Sequence, residues 1–130
     1  MPIEYDIVEN KKLVVVKGSG VISANDVISH LEDLSMDNRY TAPMKKLIDY
    51  RSIDRKNIIA EEANVIAQKK RELSTIFSGE RCAFVSPKDL TFGTSRVHQA
   101  LIDGADINTM VFRRIEEASD WLDVTLEHGL

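Results

Sequence analysis

The fold is decided by the stretch RCAFVSPKDLTFGTSRVHQALIDG (residues 81–104), which contains the signals for a strand, a helix start, a helix and a helix end. Its apolar run Cys82–Val85 is typical of a strand covered on both faces, as in a parallel sheet. Ser86, the proline after it and Asp89 predict a capped helix start, and Gly104 predicts the helix end. The stretch is therefore predicted to be one strand-helix unit of an α/β domain.

The N-terminal third predicts a β-hairpin followed by a helix. Hydrophobic residues alternate in Ile3–Val8, and the β-branched run Leu13–Lys17 follows a polar turn, which is the pattern of two paired strands. Gly18–Gly20 predict a bulge or bend in the second strand. Ser23, with Asp26 three residues later, repeats the capping pattern and predicts the first helix.

The middle of the chain predicts a short strand and the longest helix. Lys46–Tyr50 is predicted to be the strand, and Arg51–Asn57 a polar connection. An apolar stripe then predicts a helix over Ile58–Phe77, interrupted only by Lys70, whose ammonium is expected to reach water while its aliphatic part lies along the core. The stripe consists of Ile59, Ala63, Ile66, Leu73 and Phe77, widened by Ile58, Val65 and Ile76.

The complete order of elements predicts the fold class. A strand is expected over Ile107–Arg113 and a last helix over about Glu116–His128. The buried residues of that helix are expected to be Ala118, Trp121, Leu122 and Thr125. The order β-β-α-β-α-β-α-β-α predicts an α/β fold with a single mixed five-stranded sheet, an antiparallel N-terminal hairpin followed by parallel strands, and four helices. A length of 130 residues predicts one domain, residues 1–130.

Composition and charge narrow the classes of partner and compartment. A formal net charge of -4 disfavours binding to nucleic acid. No apolar run approaches the length of a membrane span. The single cysteine, Cys82, is compatible with a reducing compartment, and we expect a cytoplasmic protein.

The reactive residue types form no motif for catalysis or metal binding. His30, His98 and His128 each lack a neighbouring ligand at metal-binding spacing, and structural or surface roles are expected for them. Cys82 lies in an apolar strand and is expected to fill the core. The sequence also lacks P-loop, nucleophile-elbow and dinucleotide-binding motifs. We therefore expect no catalytic residue, no metal and no cofactor.

The helix of the 81–104 stretch carries a candidate partner surface. If Val97 and Leu101 belong to its buried stripe, together with Leu90, then Phe92 and Arg96 lie on the opposite face. An aromatic ring there, with an arginine stacked on it, predicts contact with a partner or a second subunit. The alternative is that the helix is rotated and the ring packs under the neighbouring loop.

A candidate ligand crevice is predicted at the ends of the strands. Asp49, Arg51, Ser86 and Arg96 come from strand ends or from the helix that follows, and ligands of open α/β sheets often bind beyond the carboxyl ends of strands. The alternative is that Asp49 caps a loop and the two arginines form solvated ion pairs.

Three segments resemble the SpoIIAA-like proteins, small bacterial domains of the STAS-related fold. They are the hairpin IEYDIVENKKLVVVKGSGVISANDV, the strand KLIDYRSID and the segment SPKDLTFGTSRVHQAL. The resemblance extends over nearly the full length. It implies a mixed sheet with strands in sequential order and helices packed as a βα superhelix, a fold shared with lipid-binding CRAL-TRIO domains.

The sequence departs from anti-sigma-factor antagonists at one functional position. Those proteins carry a D-S-S-G-like signature whose serine is phosphorylated at the start of the helix after the third strand. This chain has Arg-Lys-Asn-Ile-Ile at residues 55–59, without a hydroxyl, and Ser52 lies too early. This departure from the family signature predicts that the chain lacks a phosphorylation switch of that kind.

We predict a non-catalytic protein-interaction or regulatory domain, with a protein partner or a second copy of the chain bound through helix faces or the hairpin edge. The alternative is a binding module for a small apolar or lipid-like ligand. It is indicated by the wide stripe over Ile58–Phe77, with Met36 and Met44 available to adapt to a ligand. An enzyme is the third interpretation.

Overall fold

A computed structural model describes residues 2–102 and 107–125, apart from the side chains of residues 90 and 91. The described ranges contain five strands, four helices and one 3-10 turn, Glu9–Lys11. In chain order the strands and helices are β1 (Ile3–Val8), β2 (Leu13–Ser23), α1 (Ala24–Ser35), β3 (Lys45–Asn57), α2 (Ala60–Glu72), β4 (Glu80–Val85), α3 (Asp89–Leu101), β5 (Ile107–Phe112) and α4 (Ile115–Leu122). This order confirms the predicted one. Within these ranges no helix has both the length and the apolar character that a membrane crossing requires.

The sheet is mixed, and its strands lie in the sequential order β1-β2-β3-β4-β5. β1 and β2 form the predicted antiparallel hairpin, and all other neighbours are parallel. The register of β2 against β3 shifts between Lys17 and Ser19, where the glycines predicted a bulge. Ser23 caps α1 as predicted: its hydroxyl accepts from the Asp26 N–H at 3.2 Å, and the Asp26 carboxylate accepts from the Ser23 N–H at 2.8 Å.

Three helices cover one face of the sheet, and the fourth covers the other. Because side chains alternate along a strand, Lys46, Ile48 and Tyr50 of β3 point towards α1, α2 and α3. Leu47 points towards α4. We call these sides the three-helix face and the α4 face. The larger core lies on the three-helix face, and the α4 face has a smaller one of Leu13, Val15, Leu47, Ala83, Val85, Ala118 and Leu122.

Two predicted boundaries in the middle of the chain are wrong. β3 continues through Arg51–Asn57, so this segment is a strand and not a connection, because it pairs with the second half of β2. The predicted helix Ile58–Phe77 is shorter, since α2 ends at Glu72 and is followed by turns. These turns still carry Phe77 into the core, where it is fully buried. They close at Gly79, whose φ of 75° lies in the left-handed region that favours glycine.

The start of α3 differs from the prediction. The helix begins at Asp89, after Lys88, and has no side-chain cap. Ser86 and the proline after it therefore precede the helix. Ser86 does not cap it because its hydroxyl is fully buried, 3.2 Å from that of Ser95. The predicted helix end at Gly104 lies outside the described residues.

The last helix is shorter than predicted. α4 ends at Leu122, because Asp123 has a φ of 55°, which is incompatible with continuing a right-handed helix. Trp121 is half-buried rather than buried, and Thr125, predicted to be buried, is exposed beyond the helix. His128 lies outside the described residues.

Candidate functional site: a cavity lined by buried lysines

A cavity of about 230 Å³ lies between the three-helix face of the sheet and the helices α1, α2 and α3. Much of its wall is apolar and includes Val16, Leu31, Ile48, Ile66 and Phe84. The wall also contains the basic side chains His30, Lys46, Lys56, Lys70 and His98. An apolar cavity with a few polar groups is the usual form of a small-molecule site.

The cavity opens to solvent between the start of α2 and α3. Ile59, just before α2, and Val97 of α3 line the cavity, and their exposed fractions are 60% and 51%. The predictions that Ile59 and Val97 belong to buried stripes are therefore wrong, because the cavity separates the two helices at this end.

An ion pair is buried beside the cavity. The Lys70 ammonium donates to one oxygen of Glu80 at 2.7 Å, and the Tyr40 hydroxyl donates to the other at 2.9 Å. Burial favours the neutral carboxyl, but the fields of Lys70 and Lys46 outweigh it and hold the pKa of Glu80 below its ordinary value. Lys70 is only 3% exposed, so the prediction that its ammonium reaches water is wrong: the carboxylate, and not water, neutralises it.

Lys46 is a second buried cation on the same wall. It is 1% exposed, and its ammonium lies 6.0 Å from the centre of the Phe77 ring. Burial and then the field of Lys70 lower the pKa of Lys46 to about 8, against the opposing field of Glu80. Lys46 therefore remains largely protonated at neutral pH.

Lys56 brings a third ammonium to the cavity from the end of β3. It donates to the Ser95 hydroxyl at 2.7 Å and lies 4.8 Å from the centre of the Tyr50 ring. It is also 5.5 Å from the centre of the Phe84 ring. Burial lowers the pKa of Lys56 to about 7, so its charge is incomplete at neutral pH.

Two histidines are the remaining basic side chains of the wall. Burial, with the fields of Lys46 and Lys70, lowers the pKa of His30 far below its ordinary value. Burial lowers the pKa of His98 to about 3, so both imidazoles are neutral at neutral pH. His30 packs edge-on against Tyr5, with ring centres 5.3 Å apart. Among the described residues no group provides a hydrogen-bond partner for either ring nitrogen of His30.

Two solved structures share this architecture. One is an uncharacterized protein from the DUF3478 family, with a SpoIIAA-like fold, from Shewanella loihica PV-4; the TM-score is 0.60 at 18% sequence identity, over 92% of this chain and 93% of that chain. The other is the anti-sigma factor antagonist SpoIIAA in its unphosphorylated form, with a TM-score of 0.55 at 14% identity, over 93% of this chain and 97% of that chain. The fold is SpoIIAA-like. No protein-family model matches the sequence, and no curated protein matches it.

The SpoIIAA-like fold confirms the fold class and the sequential strand order expected from the sequence. Residues 55–59 occupy the end of β3 and the link to α2, and Ser52 lies earlier, exposed within β3. One member of the segment, Lys56, lines the cavity. That a phosphorylation switch is missing stays a prediction.

The crevice residues predicted from the sequence do not converge in this SpoIIAA-like fold. The Asp49 carboxylate accepts from the backbone N–H of Arg51 and from its guanidinium, at 3.0 and 2.9 Å, on the α4 face and away from the cavity. Ser86 is buried against Ser95, and Arg96 is exposed on α3. The geometry of Asp49 and Arg51 therefore agrees with the alternative interpretation, in which Asp49 caps a loop and Arg51 forms an ion pair.

Phe92 is half-buried and packs against the core of the three-helix face. Arg113, and not Arg96, stacks on its ring, with the guanidinium carbon 4.3 Å from the ring centre. α3 is therefore rotated relative to the prediction, since Val97 faces solvent and Leu101 is only half-buried. A role for Phe92 and Arg96 in contacting a partner stays a prediction.

Cys82 is buried as predicted, with an exposed fraction of 2%. Burial, with the field of Glu80, raises the pKa of its thiol to about 11, so the thiolate needed of a nucleophile is absent at neutral pH. In the described part of the chain no group of three or more histidine, cysteine, aspartate or glutamate side chains is placed to hold a metal ion.

Lys46, Lys56 and His30 were not identified as site residues from the sequence. One signal for Lys46 was available, because it shares its side of the strand with Ile48 and Tyr50 at a period of two. That spacing places a lysine on a buried face, which is unusual unless the charge has a function or a partner. No comparable signal pointed to Lys56, since Arg51–Asn57 was predicted to be a connection.

Proposed function

We propose that this SpoIIAA-like domain is a non-catalytic module that binds a small, mainly apolar ligand in the cavity. The cavity itself is the observation that supports the proposal best, since it combines apolar walls with a mouth open to solvent. Sites for drug-sized molecules measure about 300–1,000 Å³. The volume of about 230 Å³ therefore favours a smaller ligand, whose binding is driven by removal of apolar surface from water.

Titration with the uncharged fluorescent probe N-phenyl-1-naphthylamine tests this proposal. We expect saturable binding with one probe per chain. The variant Ala63→Leu adds carbon atoms at a half-buried position of the wall and is expected to weaken binding by about tenfold or more, equivalent to about 1.4 kcal/mol. Ala100→Leu, at an exposed position of α3 outside the cavity wall, is the matched control. Absence of saturable binding, or equal binding by the two variants, contradicts the proposal.

A second candidate function is regulation through a protein partner or a second copy of the chain. It is supported by the likeness in fold to SpoIIAA, an anti-sigma factor antagonist. Phe92 and Arg96 remain the proposed contact residues. The exposed Val97, beside Arg96 on α3, adds apolar surface to the same helix.

Under the first proposal, in which the ring only packs within the domain, Phe92→Ala is expected to lower the free energy of unfolding by about 1–2 kcal/mol and to leave the molecular mass in solution unchanged. The reason is that the half-buried ring packs against the core and carries the Arg113 guanidinium. Urea denaturation and light scattering measure the two quantities. Arg96→Ala, at an exposed position, is the control and should change stability by less than about 0.5 kcal/mol. A lower mass for Phe92→Ala at unchanged stability would instead place the ring in a subunit interface.

A further inference from the structure

We propose that the ligand of the cavity is a monoanion, an apolar chain or ring with one carboxylate head group, and that this head group lies against the ammonium of Lys46. The inference rests on the proposed ligand-binding function. It adds the charge of the ligand and the position of its head group, neither of which follows from the volume of the cavity.

The buried charges beside the cavity do not balance. Lys46, Lys70 and Glu80 are 1%, 3% and 0% exposed, so two cations accompany one anion in this described cluster. A buried charge is unfavourable unless an opposite charge or hydrogen bonds compensate it. One carboxylate makes the cluster neutral. Within this cluster a dianionic head group, such as a phosphate monoester, leaves an excess negative charge, because the partly charged Lys56 is already engaged with Ser95.

Lys46 is the cation that lacks a counter-ion. Both oxygens of Glu80 already accept hydrogen bonds, from Lys70 at 2.7 Å and from Tyr40 at 2.9 Å. Among residues 2–102 and 107–125, no hydrogen bond or ion pair is found for the Lys46 ammonium, which lies beside the ring of Phe77. Lys46 also lines the cavity, so its side chain borders the space that a ligand would occupy.

His30 supplies a second polar group for the same head group. It is 7% exposed, it lines the cavity, and neither ring nitrogen has a hydrogen-bond partner within the described part of the protein. Lys46 lines the same cavity, and its field contributes to the lowered pKa of His30. A neutral imidazole carries one N–H, which is a suitable donor to a carboxylate oxygen.

Lys56 is a poorer position for the head group. Its ammonium already donates to Ser95 at 2.7 Å and lies against the rings of Tyr50 and Phe84. A carboxylate at Lys56 would also leave the excess positive charge at Lys46 buried and uncompensated.

The decisive measurement compares octanoate with octanamide by isothermal titration calorimetry at neutral pH. The two probes share a chain and differ in the charge of the head group. We expect octanoate to bind at least about tenfold more tightly than octanamide. We also expect octanoate to bind more tightly than octyl phosphate, which carries a second negative charge. Equal affinities for octanoate and octanamide would overturn the inference.

The variant Lys46→Met tests the position of the head group. Methionine keeps most of the length of the lysine side chain and removes its charge, so the preference for octanoate should disappear while N-phenyl-1-naphthylamine still binds. Lys45→Met, which changes the net charge equally but on the α4 face, should keep the preference. A preference retained by Lys46→Met would refute this position.

The two proposals fail in distinguishable ways. If N-phenyl-1-naphthylamine does not bind the wild-type protein, the ligand-binding function fails. If it binds but octanoate is not preferred, only the anion inference fails. Should Lys46→Met not fold, the comparison of the two octyl probes on the wild-type protein still decides the charge of the ligand.

Discussion

Replacement of Glu80 with glutamine is expected to lower the free energy of unfolding by about 3–5 kcal/mol. The carboxylate is fully buried and neutralises Lys70, and its field also acts on Lys46. Glutamine keeps the shape and can still accept a hydrogen bond from Tyr40. It removes the charge, however, so Lys70 loses its counter-ion and Lys46 loses the favourable field of the carboxylate in the folded protein. Urea denaturation followed by circular dichroism measures the loss.

Two further variants make the interpretation specific. Glu72→Gln removes the same charge from an exposed side chain 4.0 Å from Lys69 and is expected to cost less than about 1 kcal/mol. The double variant Glu80→Gln with Lys70→Met removes both charges of the buried pair and should recover part of the stability. If the loss for Glu80→Gln is as small as that for Glu72→Gln, the buried pair does not stabilise the fold as described.

Stability is expected to rise between about pH 7 and pH 9, by about 1–2 kcal/mol per pH unit. Burial lowers the pKa of Lys56 to about 7 and that of Lys46 to about 8, whereas an ordinary lysine titrates at 10.5. Across this range the unfolded chain therefore binds more protons than the folded protein, and raising the pH favours folding. Above about pH 9 the trend is opposed, because Cys82 loses its proton at 9.0 when unfolded and at about 11 when folded.

Urea denaturation at a series of pH values measures this rise. Lys56→Met should reduce the slope, since the protein then lacks one of the two groups with a lowered pKa. Lys45→Met, adjacent to Lys46 but on the α4 face, should leave the slope unchanged. A flat profile for the wild-type protein would show that neither lysine is protonated more weakly in the folded state.

The parts of the fold that were predictable from sequence depend on local signals. The Ser23 cap, the hairpin and the apolar run Cys82–Val85 each arise from a few neighbouring residues, and all three are present. The second half of β3 was not predictable, because the exposed polar residues there form a strand only through pairing with β2. Similarly, Ser86 has the local pattern of a cap, but contact with Ser95 keeps its hydroxyl buried.

The cavity could not be derived from the sequence either, because it too depends on contacts between distant parts of the chain. Lys70 and Glu80 form their ion pair across the turns between α2 and β4, and Lys46 approaches from β3. The sequence shows the lysine that interrupts the helical stripe, but the carboxylate that neutralises it lies in the next strand. The volume enclosed by three helices and the sheet depends on how far apart the helices pack, which residue patterns do not specify.

The unequal lengths of the strands also bear on strand addition between copies of this protein. β3 pairs with β4 only as far as Asp49, so its later residues have a strand neighbour on the β2 side alone in the described part of the chain. An open edge of this kind can template intermolecular strand addition. Here the Lys88 ammonium donates a hydrogen bond to the backbone carbonyl of Ile53 at 2.9 Å. The exposed side chains of Asp54 and Arg55 place charges along the same edge. A second molecule that added a strand there would have to displace the lysine and bury those charges.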